Sequence, residues 1–191
     1  WLTKLLRDNE YDKFLLICRT QPKTAAIENS LRNRINIKTA VFHEELSLVQ
    51  RDRNAAWFAD DEGARLLICS EIGSEGRNFQ FCRHLILFDL PINPELIEQR
   101  IGRLDRIGQI NDILIHIPTI MDSQRERLAK WQHYGLNTFE ENIPGGQTLI
   151  TQYRGQLLKA LKDKQNDIDT LIQKTKSSRE ELKIKLEQGK D

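Results

Sequence analysis

The fold is decided by residues 13–22, which read Lys13-Phe14-Leu15-Leu16-Ile17-Cys18-Arg19-Thr20-Gln21-Pro22. The run of five apolar residues predicts a strand that is buried on both faces of a sheet. A helix is predicted to begin at Thr20-Gln21-Pro22, because a proline in the first helical turn leaves no amide without a partner. A buried strand that runs directly into a helix is the repeating unit of a parallel α/β sheet.

The same alternation continues toward Pro118. Apolar runs predict four more strands, at residues 39–42, 66–69, 85–88 and 113–117. Helices are predicted between them, including one at residues 47–58 and one that Asn93-Pro94 caps. We therefore expect an α/β fold with a parallel, doubly wound sheet, whose functional loops follow the carboxyl ends of the strands.

The pattern changes after Pro118. Helices are predicted at residues 125–139 and, in two or three polar pieces, from about residue 149 to residue 186. We predict two domains, residues 1–120 containing the sheet and residues 121–191 forming a C-terminal helical extension.

Composition restricts the function only loosely. Lys and Arg number 29 and Asp and Glu number 28, so any basic surface must be a local patch. No apolar run approaches the roughly 18 residues of a membrane span. The chain begins at Trp1 without a methionine, so we expect an excised piece of a longer protein. The lack of an apolar span predicts no membrane partner, and the cysteine pattern is typical of a reducing cytoplasm. Cys18, Cys69 and Cys82 are expected to be small reduced core residues, and the four histidines lack ligand spacing, so no metal site is predicted.

The most informative motif for function occupies residues 98–109, Glu98-Gln99-Arg100-Ile101-Gly102-Arg103-Leu104-Asp105-Arg106-Ile107-Gly108-Gln109. If the segment is helical, Arg100, Arg103 and Arg106 lie on successive turns, and a glycine turn follows them. If the helix unwinds near Leu104, Arg106 is presented from a turn that Gly108 sets. Their planar charged groups suit the spread negative charge of a polyphosphate. Gly102 inside such a helix costs about 1 kcal/mol relative to alanine, which suggests a close backbone approach. A solvated basic helix without a ligand is the alternative.

Three further groups of polar residues follow predicted strands. The loop at residues 70–78 reads Ser70-Glu71-Ile72-Gly73-Ser74-Glu75-Gly76-Arg77-Asn78, and its amides can face an anion or a nucleic-acid backbone. It lacks the ending of a Walker loop, and a plain turn is the alternative. Asp89 can be a metal ligand, a base or a turn former, and the neighbouring prolines favour a structural role. Arg19 and Thr20 end the first strand, where a functional and a structural role are equally open.

Together these motifs resemble the second RecA-like lobe of superfamily 2 ATPases and, within that group, the Swi/Snf class of nucleic-acid translocases. Residues 99–109 match motif VI of the family, residues 70–78 match motif V, and residues 14–20 are similar to motif IV. The sequence of residues 40–118 looks most similar to a bacterial, RNA polymerase-associated branch of the class. The resemblance implies a three-layer RecA-like domain of the P-loop NTPase type.

The resemblance also implies roles for individual residues. Arg103 and Arg106 occupy the arginine-finger positions that reach ATP phosphates bound on the first lobe. The residues expected to support the nucleotide site are Gln99, Arg100, Gly76 and Asn78. The residues expected to contact nucleic acid are Arg19, Thr20 and Ser70.

The implied cofactors are ATP and Mg²⁺, both held mainly by a first lobe, because this chain contains neither a Gly-x-Gly-Lys-Thr loop nor an Asp-Glu-x-His box. The implied partners are that first lobe, double-stranded nucleic acid with DNA expected, and RNA polymerase. The full-length protein is expected to hydrolyse ATP in a bacterial transcription complex, and the isolated fragment is expected to be inactive. Arg100-Ile101-Gly102 is more helicase-like than many Swi/Snf sequences, so translocation and strand separation both stay open. The alternative function is a docking module, in which the thin apolar stripe of Leu182 and Leu186 binds RNA polymerase or another protein.

Overall fold

The computed structural model describes residues 1–71, 78–142, 145–163 and 167–189. The strands are β1 (Phe14–Cys18), β2 (Thr39–Phe42), β3 (Leu66–Ser70), β4 (His84–Leu87) and β5 (Leu114–His116). The helices are α1 (Leu2–Asp8), α2 (Gln21–Arg32), α3 (Leu48–Ala59), α4 (Pro94–Ile101), α5 (Gln124–Lys130), α6 (Gly146–Lys162) and α7 (Ile168–Glu187). A π-helix at Trp131–Leu136 continues directly from α5.

The strands form one parallel sheet in the order β2-β3-β1-β4-β5. β1 lies at its centre, with Phe14 in register with Leu66 of β3 and with His84 of β4. All five side chains of β1 and all five of β3 are buried. The predicted parallel α/β sheet is therefore confirmed, and its strands lie within two residues of the predicted positions at each end.

The chain divides into two compact units. The sheet unit comprises Trp1–Asp89 and Gly102–Pro118, and the helical unit comprises Leu90–Ile101 and Thr119–Asp191. Helix α4 thus belongs to the helical unit, although it lies between β4 and β5 in the chain. The domain boundary between residues 120 and 121 stays a prediction.

The core of the sheet unit forms on both faces of the sheet, because side chains alternate along each strand. One face packs against helices α1 and α2 through Leu6, Ile27 and Leu31. On the other face of β1, Leu15 and Ile17 are also completely buried. The apolar strand runs that predicted the sheet are therefore its core.

The helical unit packs around a single large side chain, Trp131, which is completely buried. The indole Nε1–H donates to Thr175 Oγ1 of α7 at 2.9 Å, and that hydroxyl donates to the Leu171 carbonyl oxygen at 2.8 Å. Gly135 leaves room for this contact, because an added Cβ would lie 3.4 Å from both Thr175 Cβ and Trp131 Cδ1. The helical region after Pro118 is confirmed, with two helices in its last part.

The arginine segment is not one uninterrupted helix, although its arginine spacing fits one. Helix α4 ends at Ile101, so Gly102 follows the helix, and Arg103 and Arg106 do not lie on successive helical turns. The helix stops because glycine is a poor helix former and Leu104, fully buried in the sheet unit, continues the chain in another direction. The predicted glycine turn is confirmed, since Gly108 has a φ of +101°.

Candidate functional site

The loop after β1 has a fixed backbone and exposed side chains. The Arg19 amide donates to Asp89 Oδ2 at 2.8 Å, and the Thr20 carbonyl oxygen accepts from the amides of Lys23 and Thr24 at 3.1 and 3.2 Å. The side chains of both Arg19 and Thr20 are exposed. Thr20 precedes helix α2 but makes no side-chain capping bond to it. Two of the three residues predicted to contact nucleic acid are therefore held by their main chain and present their side chains to solvent.

Asp89 follows β4 and links two elements of the sheet unit. Besides accepting from the Arg19 amide, its carboxylate accepts from Lys23 Nζ at 2.7 Å through Oδ1. Its side chain is 15% exposed, and that of Lys23 is 39% exposed. Of the three roles considered for Asp89 from sequence, the contacts fit the structural one.

Ser70, the last residue of β3, is 1% exposed. Its hydroxyl donates a short hydrogen bond to Glu44 Oε2. That hydrogen bond is the main reason why the pKa of Glu44 lies below its ordinary value. A nucleic-acid contact by the Ser70 hydroxyl stays a prediction, and it would require the bond to Glu44 to open.

Residues 78–80, at and just after the end of the second motif, lie against the arginine segment. Asn78 is exposed, and its Oδ1 accepts from the Gln80 amide at 3.1 Å. The Phe79 amide donates to the Arg103 carbonyl oxygen at 2.7 Å. The sheet unit therefore brings Asn78 and Arg103 into one neighbourhood. The predicted site residue Gly76 lies outside the described residues.

The turn that carries Arg103 and Arg106 is held by Gln109. Gln109 Nε2 donates to the Gln80 carbonyl oxygen at 2.9 Å and lies 3.4 Å from that of Leu104. Arg106 is exposed, and its Nε donates to the Gly102 carbonyl oxygen at 3.0 Å. Because Nε is hydrogen-bonded, the terminal guanidinium nitrogens of Arg106 are restricted in direction. No described residue accepts a hydrogen bond from those nitrogens. The turn thus offers an oriented cation for an anionic ligand.

The two remaining residues of the predicted nucleotide site lie in the helical unit. Gln99 is exposed on α4, whereas Arg100 is only 3% exposed. An arginine that is almost completely buried must be paired or hydrogen-bonded, because burying an uncompensated charge is costly. The supporting roles predicted for Gln99 and Arg100 remain predictions.

A histidine pair lies where β4 meets the edge strand β5. His84 Nδ1 and His116 Nε2 are 3.0 Å apart, and the two rings stack at a centroid distance of 5.2 Å. Burial lowers the pKa of both imidazoles; the carboxylate of Asp12, 3.3 Å from His84 Nε2, opposes this effect on His84. Both rings therefore resist protonation.

The three cysteines are buried thiols, consistent with the expectation that they are small core residues. Burial raises the pKa of Cys82 to about 12 and raises that of Cys69 as well, so neither thiol is ionised near neutral pH. Among the described residues, no group of three or more His, Cys, Asp or Glu side chains is placed to hold a metal ion. None of the described helices is both long and apolar enough to cross a membrane.

Sequence reasoning assigned no site role to three residues that organise these loops: Glu44, Asp89 and Gln109. Asp89 and Gln109 stand inside motifs that were noticed, but their partners are 70 and 29 positions away in the chain. No sequence motif pointed to Glu44, since its partner Ser70 is 26 positions away in the chain. The parallel sheet gathers the carboxyl ends of its strands at one edge, and this brings Asp89 to Arg19 and Glu44 to Ser70.

Two family models match the chain. The model of the helicase conserved C-terminal domain matches residues 1–108, and that of the RNA polymerase recycling family C-terminal region matches residues 112–191. The RNA polymerase-associated protein RapA of Haemophilus influenzae is 47% identical over 196 residues, which cover 100% of this chain. That match covers 21% of RapA, so the chain spans about a fifth of the length of this relative.

Solved structures share the fold. The C-terminal part of the Fun30 ATPase domain aligns with a TM-score of 0.60 and 23% identity, over 68% of this chain and 43% of that one. The C-terminal domain of S. cerevisiae Dbp5 aligns with a TM-score of 0.58 and 17% identity, over 85% and 90%. Domain 2 of the DEAD-box helicase Mss116p, solved with an RNA duplex, aligns with a TM-score of 0.56 and 19% identity, over 71% and 52%.

At these identities the structural matches establish only the fold. The matched structures are C-terminal or second domains, as expected for a RecA-like second lobe. The family model covers more than half of the chain, including the strand-end loops and the arginine turn described above. The chain therefore belongs to the helicase conserved C-terminal domain family, and its sheet is a RecA-like fold.

Proposed function

We propose that this chain is the second motor lobe of an ATP-dependent nucleic-acid translocase that remodels or recycles RNA polymerase. In this function, Arg103 and Arg106 act as arginine fingers toward ATP and Mg²⁺ held on a separate first RecA-like lobe. The observation that carries the proposal is the turn after α4, where Arg106 is exposed and anchored through Nε to the Gly102 carbonyl oxygen. The match to the helicase C-terminal family over the same residues supports it.

The anchored arginine suits phosphoryl transfer for a physical reason. A guanidinium whose Nε is already bound keeps its terminal nitrogens in a restricted range of directions, so less entropy is lost when a phosphate arrives. Such a cation stabilises the charge that spreads over the phosphate oxygens in the transition state. In other phosphoryl-transfer systems an arginine finger raises the rate by about 10³–10⁵-fold.

ATP and Mg²⁺ must then come with another lobe, because this chain's sequence has neither a Walker loop nor an acidic magnesium box. The purified 191-residue chain should hydrolyse no ATP, with or without duplex DNA. The longer protein that includes a first lobe should show turnover that duplex DNA stimulates. Clear DNA-stimulated turnover by the 191-residue chain alone would contradict the division of labour between two lobes.

Nucleic acid would run along the strand ends of the sheet unit. Arg19 and Thr20 are exposed there on a backbone that is already hydrogen-bonded, and a guanidinium and a hydroxyl are common phosphate contacts. We expect the track to be double-stranded DNA, and closure of the two lobes to couple hydrolysis to steps along it.

A second candidate function is docking to RNA polymerase through the helical unit. It is favoured by the match of residues 112–191 to the RNA polymerase recycling family and by two exposed apolar side chains on α7, Ile184 and Leu186. Leu182 of the predicted stripe packs against the core of the helical unit instead. Changing both to glutamate should weaken capture of the 191-residue chain by RNA polymerase, while the control Lys185→Glu should not. Equal capture of all three chains would count against this surface.

A further inference from the structure

We propose that Asp89 is a positioning residue for nucleic-acid binding: its carboxylate fixes the backbone of Arg19, so that the Arg19 guanidinium and the Thr20 hydroxyl face a phosphate without further ordering. This inference rests on the proposed function, because it concerns how the predicted contact is made. It adds a residue that touches no ligand and acts only through the loop after β1.

The geometry of the carboxylate supports this role. Its two oxygens are used separately, Oδ2 for the Arg19 amide at 2.8 Å and Oδ1 for Lys23 Nζ at 2.7 Å. The first bond fixes the residue that leaves β1, and the second fixes the first turn of α2. The short connection between strand and helix is therefore held at both ends by one side chain from the segment that follows β4.

The rest of the loop backbone is also hydrogen-bonded. The Thr20 carbonyl oxygen accepts from the Lys23 and Thr24 amides, and Cys18 Sγ lies 3.6 Å from it. No described residue accepts a hydrogen bond from the Arg19 guanidinium. A loop with a bound backbone and an available charged side chain is preorganised, and preorganisation increases affinity by reducing the entropy lost on binding.

The charge of Asp89 makes the proposal testable. A carboxylate beside a phosphate path repels nucleic acid, so simple electrostatics predicts that removing it tightens binding. Positioning predicts the opposite for Asp89→Ala, which removes both the charge and the acceptor for the Arg19 amide. Asp89→Asn separates the two effects, since it removes the charge but keeps an oxygen that can accept from that amide.

The experiment measures binding of a mixed-sequence DNA duplex to the 191-residue chain by fluorescence anisotropy at several salt concentrations. Asp89→Ala should weaken binding by about fivefold to tenfold, as expected for the loss of one charge-assisted contact. The slope of log affinity against log salt should fall by about one, because one phosphate contact is lost. Asp89→Asn should bind at least as tightly as the unmodified chain, with an unchanged slope.

Two variants guard the interpretation. Asp89→Glu keeps the charge but moves the carboxylate by one methylene, so weaker binding by this variant supports positioning even if Asp89→Ala fails to fold. Asp8→Asn breaks the ordinary exposed ion pair with Lys4 on α1 and should leave binding unchanged.

The outcomes separate this inference from the function on which it rests. If Arg19→Ala weakens binding but Asp89→Ala and Asp89→Glu do not, the positioning role is overturned and the nucleic-acid contact survives. Tighter binding by both Asp89→Ala and Asp89→Asn would overturn it in favour of plain repulsion. If Arg19→Ala binds as well as the unmodified chain, the contact itself is wrong, and the role of Asp89 is overturned with it.

Discussion

The sheet unit and the helical unit both have apolar cores, but they use their polar side chains in opposite ways. In the sheet unit, Arg19 and Arg106 are exposed on loops whose backbones are hydrogen-bonded. In the helical unit, Gln132 and Thr175 are completely buried and join one helix to another segment of the same unit. The difference indicates that these two arginines of the sheet unit are available to a ligand, whereas these two polar residues of the helical unit specify its packing.

The largest effect is expected for Arg106, one of the exposed arginines of the sheet unit. Arg106→Ala in the longer protein should lower ATP turnover by about 10³–10⁵-fold, because the transition-state charge loses its finger. The free energy of unfolding should change by no more than about 0.5 kcal/mol, since the side chain is exposed. Steady-state ATPase assays and urea unfolding measure the two quantities.

A matched control for that change is Arg53→Ala, which removes another exposed arginine, from α3, and should leave turnover unchanged. Near-normal turnover by Arg106→Ala would remove Arg106 from the proposed fingers. A large loss of stability would show instead that this loop supports the fold, which would break the comparison between the units.

The next largest effect is expected in the core of the helical unit. Trp131→Ala should lower the free energy of unfolding by about 3–5 kcal/mol, because the indole is completely buried and its removal leaves a cavity. Urea unfolding followed by circular dichroism measures the loss. A change below 1 kcal/mol would mean that the unit repacks readily and that its core is less specific than the buried polar contacts indicate.

A smaller effect is expected for the hydrogen bond that the same indole makes. Thr175→Val keeps the shape of the side chain but leaves the Trp131 Nε1–H without an acceptor, which should cost about 1–3 kcal/mol. Thr175→Ser retains the hydroxyl and should cost clearly less. If serine destabilises the chain more than valine does, the methyl packing against Gly135 matters more than the hydrogen bond.

The smallest effect is expected from the histidine pair of the sheet unit, in which His84 is buried and His116 is half-buried. The pKa values of His84 and His116 are lowered by burial, so below the ordinary value of about 6.5 the unfolded chain binds more protons than the folded one. The free energy of unfolding should therefore have its full value above about pH 6.5 and decrease as the pH falls below that value.

Urea midpoints between pH 7.5 and 5.5 measure this decline, in a range above the ordinary titration of carboxylates. Replacing both histidines by phenylalanine should flatten the profile. A double variant that retains the full pH dependence would assign the decline to other groups and leave the sheet unit without a buried titrating pair.

The order of strands and helices in the sheet unit followed from the sequence largely because the apolar runs of β1, β3 and β4 are buried on both faces, which leaves little ambiguity in the pattern. The end of α4 was less predictable. Arginines three residues apart fit a helix well, yet the burial of Leu104 and the bond between the Phe79 amide and the Arg103 carbonyl oxygen take the chain out of the helix. Tertiary contacts here outweigh a local helical preference of a few tenths of a kcal/mol per residue.

By itself, the sequence determined the parallel α/β class, the position of the strand-end loops and the identity of the arginine motif, because apolar periodicity and short motifs are local properties of the chain. Only the tertiary structure decided which side chains are available. In that structure, Ser70 is buried and hydrogen-bonded to Glu44, and Arg19 is exposed on a loop whose backbone Asp89 holds. Arg106 lies in a turn beyond the end of α4. Those outcomes depend on residues that are far apart in sequence, and a parallel sheet brings them together only when its strands are assembled side by side.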